Sequence, residues 1–376
     1  MRNSFSVKNA IKIIIATFVV LGPVNAIAQS PFGKFPNLFT VPNNYVVNYV
    51  SSPPVIDGEL TDAVWQQAKW TGDFRDIEGD LKPNPPLRTR VKMLWGDSCL
   101  YIAAQISDPH VWATLKQHDE IIFRDNDFEV FIDPSNTTHQ YFELEFNALN
   151  TVFDLFLNKP YRNNGNAMIN WDAKGLHSAV KVQGSLNDPT DTDQSWTIEI
   201  AIPFKAISLG NNVQVPVDGT LWRINFSRVE WDTKVVNGKH IKLKDSSGRN
   251  LPEHNWVWSP QGVINMHYPE RWGYLHFSKD FTNNKPFIMP YPELQKQYLW
   301  LVYYHEKLWL NGHHTYQQSL KKFGIKSKVI IDTQPNTLKI EATKHQFMAF
   351  ITDGSNITWA IDQEGLIRRL TAKSDE

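Results

Sequence analysis

The chain has 376 residues, of which 41% are apolar, 20% charged and 12% aromatic; that length suits two or three folding units, and the composition excludes wholesale disorder. With 38 basic and 39 acidic residues the formal charge is −1, which gives no support for a nucleic-acid binder whose affinity rests on a basic surface, and no nucleic-acid partner is expected. One cysteine, Cys99, excludes an internal disulfide, a CxxC redox pair and a thiolate zinc site.

Residues 1–28 read as a signal peptide. Arg2, Lys8 and Lys12 form a positive region, Ile13 to Leu21 an apolar stretch too short to span a bilayer, and Ala26-Ile27-Ala28 a small-x-small cleavage site. Cleavage before Gln29 leaves 35 basic and 39 acidic residues, or −4. Nothing later in the sequence resembles a membrane span. The expectation is an exported protein, periplasmic or extracellular, with no membrane span after cleavage.

Residues 29–50 are a lead-in. From about Tyr45 to Phe277 the hydrophobic pattern has a period of two. Leu100, Ile102, Ala104 and Ile106 share one face of a strand. Phe142, Leu144, Phe146 and Ala148 oppose Tyr141, Glu143, Glu145 and Asn147; Trp196, Ile198, Ile200 and Ile202 alternate with Thr197, Glu199 and Ala201; Trp222, Ile224 and Phe226 alternate with Arg223, Asn225 and Ser227. About ten such strands, separated by turn clusters and by no long helical pattern, predict an antiparallel β-sandwich over 51–280. After Pro286, Pro290 and Pro292 the spacing becomes helical through Leu294, Tyr298, Leu301, Val302, His305, Leu308 and Trp309, with a stop at Asn311-Gly312. A second short helix is expected through Tyr316, Leu320 and Phe323. Strands follow at Val329–Ile331, Thr337–Ala342, Phe347–Ile351, Thr358–Ile361 and Leu366–Leu370. The fold class is therefore mainly β, a sandwich with a small C-terminal α+β appendage over 281–376.

No GxSxG, HExxH, P-loop or GxGxxG motif is present, and no catalytic residue is assigned. The densest acidic run is Asp125-Asn126-Asp127-Phe128-Glu129-Val130-Phe131-Ile132-Asp133. Alternation places Asp127, Glu129, Phe131 and Asp133 on one side. Three readings stand open: a calcium site using Asp125, Asp127 and Asp133, a polar edge for sugar, and a strand with a solvated face. Glu143 and Glu145, about 7 Å apart by strand rise, satisfy the spacing of a glycoside hydrolase, but no sequence feature holds either in an apolar pocket. The 14 Trp, 12 Tyr and 21 Phe exceed the needs of a core and suit stacking on sugar rings. Phe123, Trp171, Trp231, Trp256, Trp258 and Trp272 are the loop candidates; Trp65, Trp196 and Trp222 belong to the core.

Several segments resemble family-9 carbohydrate-binding modules. Val55-Ile56-Asp57-Gly58-Glu59-Leu60-Thr61-Asp62 with Trp65 and Ala68 is similar to their opening signature. Val91-Lys92-Met93-Leu94-Trp95 with Leu100-Tyr101-Ile102 and Ser107-Asp108 resembles the next strand pair. Asp127–Asp133 resembles the acidic central strand and Trp272-Gly273-Tyr274-Leu275 the closing one. The resemblance covers roughly 51–280. It implies a β-sandwich that binds carbohydrate without catalysis, in the breakdown of xylan- or glucan-type polysaccharide, beside a glycan-degrading enzyme or an envelope protein. It also implies structural calcium and no organic cofactor. A terminal sugar would be clamped between Phe123 and either Trp256 or Trp258, with Glu129 and Asn147 as polar partners. Phe123 stands where family members carry Trp, and Glu145 where the sugar-binding members place an arginine. The alternatives are a hydrolase of O-glycosyl bonds, a haem-holding sandwich, and a scaffold that no longer binds sugar.

Overall fold

A computed structural model describes residues 30–210, 213–280 and 286–370; the expected signal peptide and cleavage point lie outside them. Fifteen strands lie in the first part: β1 (Asn44–Tyr49), β2 (Arg75–Asp76), β3 (Thr89–Trp95), β4 (Cys99–Ser107), β5 (Asp127–Asp133), β6 (Tyr141–Asn147), β7 (Val152–Leu157), β8 (Ala167–Met168), β9 (His177–Gln183), β10 (Ser195–Pro203), β11 (Leu221–Glu230), β12 (Thr233–Val236), β13 (Lys239–Lys242), β14 (His254–Val257) and β15 (Gly273–Ser278). Thirteen form one sheet with the path β8-β7-β6-β5-β11-β15-β1-β3-β4-β10-β9, β14 and β2 branching from β11, while β12 and β13 form a separate hairpin. One core contains Phe142, Leu144 and Phe146 of β6 together with Trp196, Ile198, Ile200 and Ile202 of β10. These strands stand seven steps apart on the path, so the sheet must curl until its two halves face each other. The result is the expected mainly β sandwich, and the inward residues are those that alternation selects.

The pairing is antiparallel except at β1, which runs parallel to both β15 and β3. Residues 44–49 are thus an inner strand of the sheet, although the sequence reading set 29–50 apart as a lead-in. Early residues are anchored at Glu199 on β10. Its carboxylate accepts the backbone N–H groups of Asp57 and Gly58 and the indole N–H of Trp65. Gly58 has φ +86°, and a Cβ there would sit 2.8 Å from the backbone of Lys181. The Asp-Gly pair therefore meets a steric demand that other residues fail.

The appendage consists of α1 (Tyr291–His313) and a five-stranded antiparallel sheet of β16 (Lys328–Ile331), β17 (Gln334–Ala342), β18 (Phe347–Asp353), β19 (Thr358–Asp362) and β20 (Ile367–Leu370). The helix runs through Asn311-Gly312 and stops at His314 in the left-handed region, and the second helix is a short 3-10 turn over Leu320–Phe323. Leu299, Leu301 and Val302 pack with Leu338, Ala349, Ile351 and Ile361. Among the described residues no helix is long and apolar enough to cross a membrane.

The two parts are packed together. Phe32 and Phe35 lie edge-on to Tyr298 and His305 of α1. Glu293, buried at the start of α1, accepts from Arg223 (3.1 Å), Lys296 (2.8 Å), Asn136 (2.9 Å) and Tyr274 (3.0 Å). Burial pushes this carboxyl upward, but Lys296 and Arg223 outweigh it and hold it below its ordinary value. Arg162 and Tyr304 likewise meet on buried Glu270. Replacing Arg223 with Ala leaves Glu293 short of a cation in a dry interface. The expected loss is about 3 kcal/mol of unfolding free energy, read from the urea midpoint. An unchanged midpoint would contradict a docked appendage.

Candidate functional site

The acidic strand β5 buries all seven of its residues, so the reading of a solvated face is wrong. The cause is remote cover: the outer face of β5, β6 and β7 lies under segments from elsewhere in the chain. Phe131, Tyr141, Phe153, Leu155 and Leu157 pack there with Ile77, Ile122, Val257, Met266 and Trp272. Between the sheet and this cover lies a cavity of about 530 Å³, lined by Phe123, Glu129, Glu143, Glu145, Tyr161 and His267 among others.

Four carboxylates sit on this face. Pairing of β5 with β6 sets Glu129 directly opposite Glu145 and Phe131 opposite Glu143; β11 brings Ser227 opposite Glu129 and Val229 opposite Asp127. Like charges directly across a strand pair repel. Asp127, Glu129, Glu143 and Glu145 are all buried, and among the described residues no Lys or Arg pairs with any of them. Glu145 Oε2 accepts the Phe123 N–H at 2.9 Å and Asp127 Oδ1 the Val229 N–H at 3.3 Å. Asp127 Oδ2 and Glu143 Oε2 have no hydrogen-bond partner. Burial raises all four carboxyls, and repulsion among them adds to the rise in Asp127, Glu143 and Glu145. Burial takes Glu129 to about 7. The sequence reading found no carboxylate held in an apolar pocket; the fold buries four.

Two of the five expected sugar-binding residues line this cavity, Phe123 and Glu129. Phe123 is 39% exposed. Trp256 and Trp258, 5% and 2% exposed, belong to the sandwich core and offer the cavity no ring face. Trp258 packs closely against Gly273 and 5.9 Å from Phe226, and Trp256 against Arg228. The expected second ring of the clamp is therefore not at either position. Asn147 is also elsewhere engaged: its amide donates to Leu115 O and Asp125, and its oxygen accepts from Leu149 and Thr151.

The expected metal trio does not converge. Asp127 and Asp133 stand at opposite ends of one strand, about 20 Å apart by strand rise. Asp125 holds the 114–115 loop, accepting from Thr114 N and Oγ1 and from Leu115 N. Asp133 closes the next turn, accepting from Ser135 and Thr138. The groups whose oxygens come within 4.8 Å of one another are Asp127, Glu129 and Glu145. A second group, His118 with Asp119, Asp154 and Asp172, includes a histidine that these neighbours help raise above its ordinary value despite burial.

The reading missed Tyr161, 44% exposed and edge-on to His267 at 4.5 Å, together with Glu253, Asn255, Asn265 and His267. Apart from Asn255 on the four-residue strand β14, these come from segments without periodicity, so only their polar and aromatic character was visible. His267 is held neutral, its value lowered to about 4 by burial and by Arg162. Of the other loop aromatics, Trp272 is fully buried and Trp171 packs on Phe142. Trp231 donates to Phe123 O and carries the Lys242 ammonium 3.3 Å above its ring. A larger trough of about 950 Å³ lies between residues 36–43 and 72–88. Its ring, Phe74, is part of the core, which leaves no aromatic face for a sugar there.

Comparison with known proteins adds the following. The family model described as carbohydrate family 9 binding domain-like matches residues 56–275. The chain is 27% identical over 168 residues to endo-1,4-beta-xylanase A of Thermotoga neapolitana and 22% identical over 174 residues to exoglucanase XynX of Acetivibrio thermocellus. These matches take 43% and 46% of this chain but only 14% of each relative. A candidate carbohydrate-binding protein from Bacteroides uniformis aligns with a TM-score of 0.47 at 15% identity, covering 63% of this chain and 100% of that one. A family 9 carbohydrate-binding module from Caldicellulosiruptor kristjanssonii in complex with cellotriose aligns at 0.37 and 17% identity, covering 65% and 99%.

The acidic floor makes stability depend on pH. Glu129 has an ordinary value of 4.5 and a folded value of about 7, so its contribution is full below about 4.5 and is lost as pH rises through 7. That amounts to about 3 kcal/mol. Glu230 and Glu306, also raised to about 7 by burial, add a slope of the same sign. In a chelator, Tm is expected to fall from pH 5 to 8, and to fall less in Glu129→Gln. An equal fall in both proteins would contradict a buried, unpaired Glu129.

Proposed function

The chain belongs to the carbohydrate family 9 binding domain-like family, and from that premise we propose that it binds the end of a carbohydrate chain in the cavity over β5 and β6. The observation that carries this reading is the joint lining of one cavity by two half-exposed rings, Phe123 and Tyr161, and by buried carboxylates. A pyranose has apolar C–H faces and a rim of hydroxyls. Covering ~100 Å² of such a face at ~25 cal/mol/Å² gives ~2.5 kcal/mol per ring. Glu129, Asn255, Asn265 and His267 supply polar groups for the rim. The proposed ligand is a xylan- or glucan-type end, which the names of the two relatives support. The proposed setting is export to the periplasm or beyond, supported by the pattern of residues 1–28, with a role in polysaccharide breakdown beside a glycan-degrading enzyme or an envelope protein.

A hydrolase reading is less well supported. Hydrolysis needs one carboxyl protonated and a second ionised. Here burial raises Asp127, Glu129, Glu143 and Glu145 alike, and among the described residues no Lys or Arg pairs with one of them to hold it ionised.

A glycan array with the purified protein tests the proposal. Saturable binding is expected, weakened roughly tenfold or more in Phe123→Ala and in Tyr161→Ala. A blank array from folded protein, or binding indifferent to both changes, would overturn it. Released sugar would favour the hydrolase.

A further inference from the structure

We propose that the sugar end this cavity selects carries an amine, its ammonium held by Glu143 with Glu129 and Glu145 while the sugar ring lies against Phe123 and Tyr161. The inference rests on the carbohydrate reading and narrows it from a glucan-type end to an amino-sugar one. Four glutamates line the cavity, Glu129, Glu143, Glu145 and Glu253, and among its described lining residues there is no lysine or arginine. His267, which also lines it, is held neutral by burial and by Arg162. A volume of about 530 Å³ is within the range of small-ligand sites.

The case does not rest on the crowding of acids alone. Glu143 Oε2 has no hydrogen-bond partner although Glu143 is only 6% exposed, and the residue lines the cavity. A buried acceptor stranded from water is costly, so this oxygen is a place for a donor brought by a ligand. At Glu293 the same chain surrounds a buried carboxylate with Arg223, Lys296, Asn136 and Tyr274. On the outer face of β5 and β6, Glu145 stands opposite Glu129, and two basic groups of the surroundings are committed elsewhere. The Lys242 ammonium is seated on the Trp231 ring, and Arg162 donates to Glu270 and to the His267 carbonyl. An ammonium has N–H donors and no acceptor, the complement of ionised carboxylates, which only accept. A cation beside a carboxyl favours its ionised form and so opposes the burial that raises Glu129, Glu143 and Glu145. The hydroxyls of a neutral sugar bring donors but no charge. Phe123 and Tyr161, 39% and 44% exposed, share the lining. They offer apolar faces to ring C–H groups and a π surface to the cation, which suits an amine carried on a sugar ring.

Calorimetry on the purified protein compares a glucosamine oligomer, its N-acetylated form and a cello-oligosaccharide of the same length, which share one backbone and differ at a single ring position. The glucosamine oligomer is expected to bind roughly tenfold or more tighter than either neutral one. Glu143→Gln keeps the side-chain shape and removes the charge, and should lower that ratio roughly tenfold. Asp154→Asn, in the separate His118 cluster, should leave the ratio unchanged. Propylamine, an ammonium without a sugar ring, should bind far more weakly than the glucosamine oligomer. Equal binding of the three oligomers, or preference for a neutral one, would overturn the amine and leave the carbohydrate reading standing; binding of none of them by folded protein would overturn both. A preference undiminished in Glu143→Gln, or propylamine binding as tightly as the glucosamine oligomer, would overturn the proposal as well.

Discussion

The structure turns on how buried carboxylates are compensated. An ionised carboxylate out of water is tolerated when cations and donors surround it, and otherwise it takes up a proton or an ion. This chain uses both solutions. At the joint between sandwich and appendage, Glu293 and Glu270 are met by Arg223, Lys296 and Arg162, and the interface closes around them. On the outer face of β5 and β6, four carboxylates are buried with no paired Lys or Arg among the described residues, and a cavity opens above them.

The rest of the architecture serves that distinction. The curled sheet makes β5, β6 and β11 neighbours and fixes Glu129, Glu145 and Ser227 in one row. Cover comes from the 121–124 turn, the 161–169 segment and the 253–267 segment, which exclude water from the acids while leaving Phe123 and Tyr161 partly open. The 121–124 turn is itself tied to the floor, since Glu145 accepts the Phe123 N–H. A change of charge on the floor therefore acts directly on a ring of the cavity wall. The appendage braces the same region from the side. Thr138 and His139, which follow β5, bond to Gly365 and Glu364 of the β19–β20 turn, and Asn163 bonds to the Glu364 carbonyl.

Much of this was legible in the sequence because side-chain alternation has a physical cause. Phe128, Val130 and Ile132 face the sandwich core and Asp127, Glu129 and Phe131 face away, as a period of two requires. The appendage strands fell within a few residues of their expected places for the same reason. Alternation separates the two faces of a strand but does not say what lies over the second one. That is why a solvated face stood among the three readings of β5. Its cover comes from segments distant in sequence, from Ile77 at one end to Trp272 at the other. Trp256 and Trp258 misled for a related reason. A tryptophan beside Ser259-Pro260 looks like a loop residue, yet β14 pairs with β11 and Trp258, just past its end, donates its backbone N–H to Phe226 O, so both rings lie in the core. The trio Asp125, Asp127 and Asp133 looked dense along the chain, but an extended strand keeps its ends about 20 Å apart. Density of acids in sequence became density in space across strands, between Glu129 and Glu145.

The most direct test of the whole account is hydrogen–deuterium exchange on the intact protein with and without xylo- and cello-oligosaccharides, in calcium. The account predicts that ligand slows exchange in the 121–124 turn and in the 161–169 and 253–267 segments, which together wall the cavity. Protection confined to residues 36–43 and 72–88, around the larger trough, would contradict it and move the binding site to that trough.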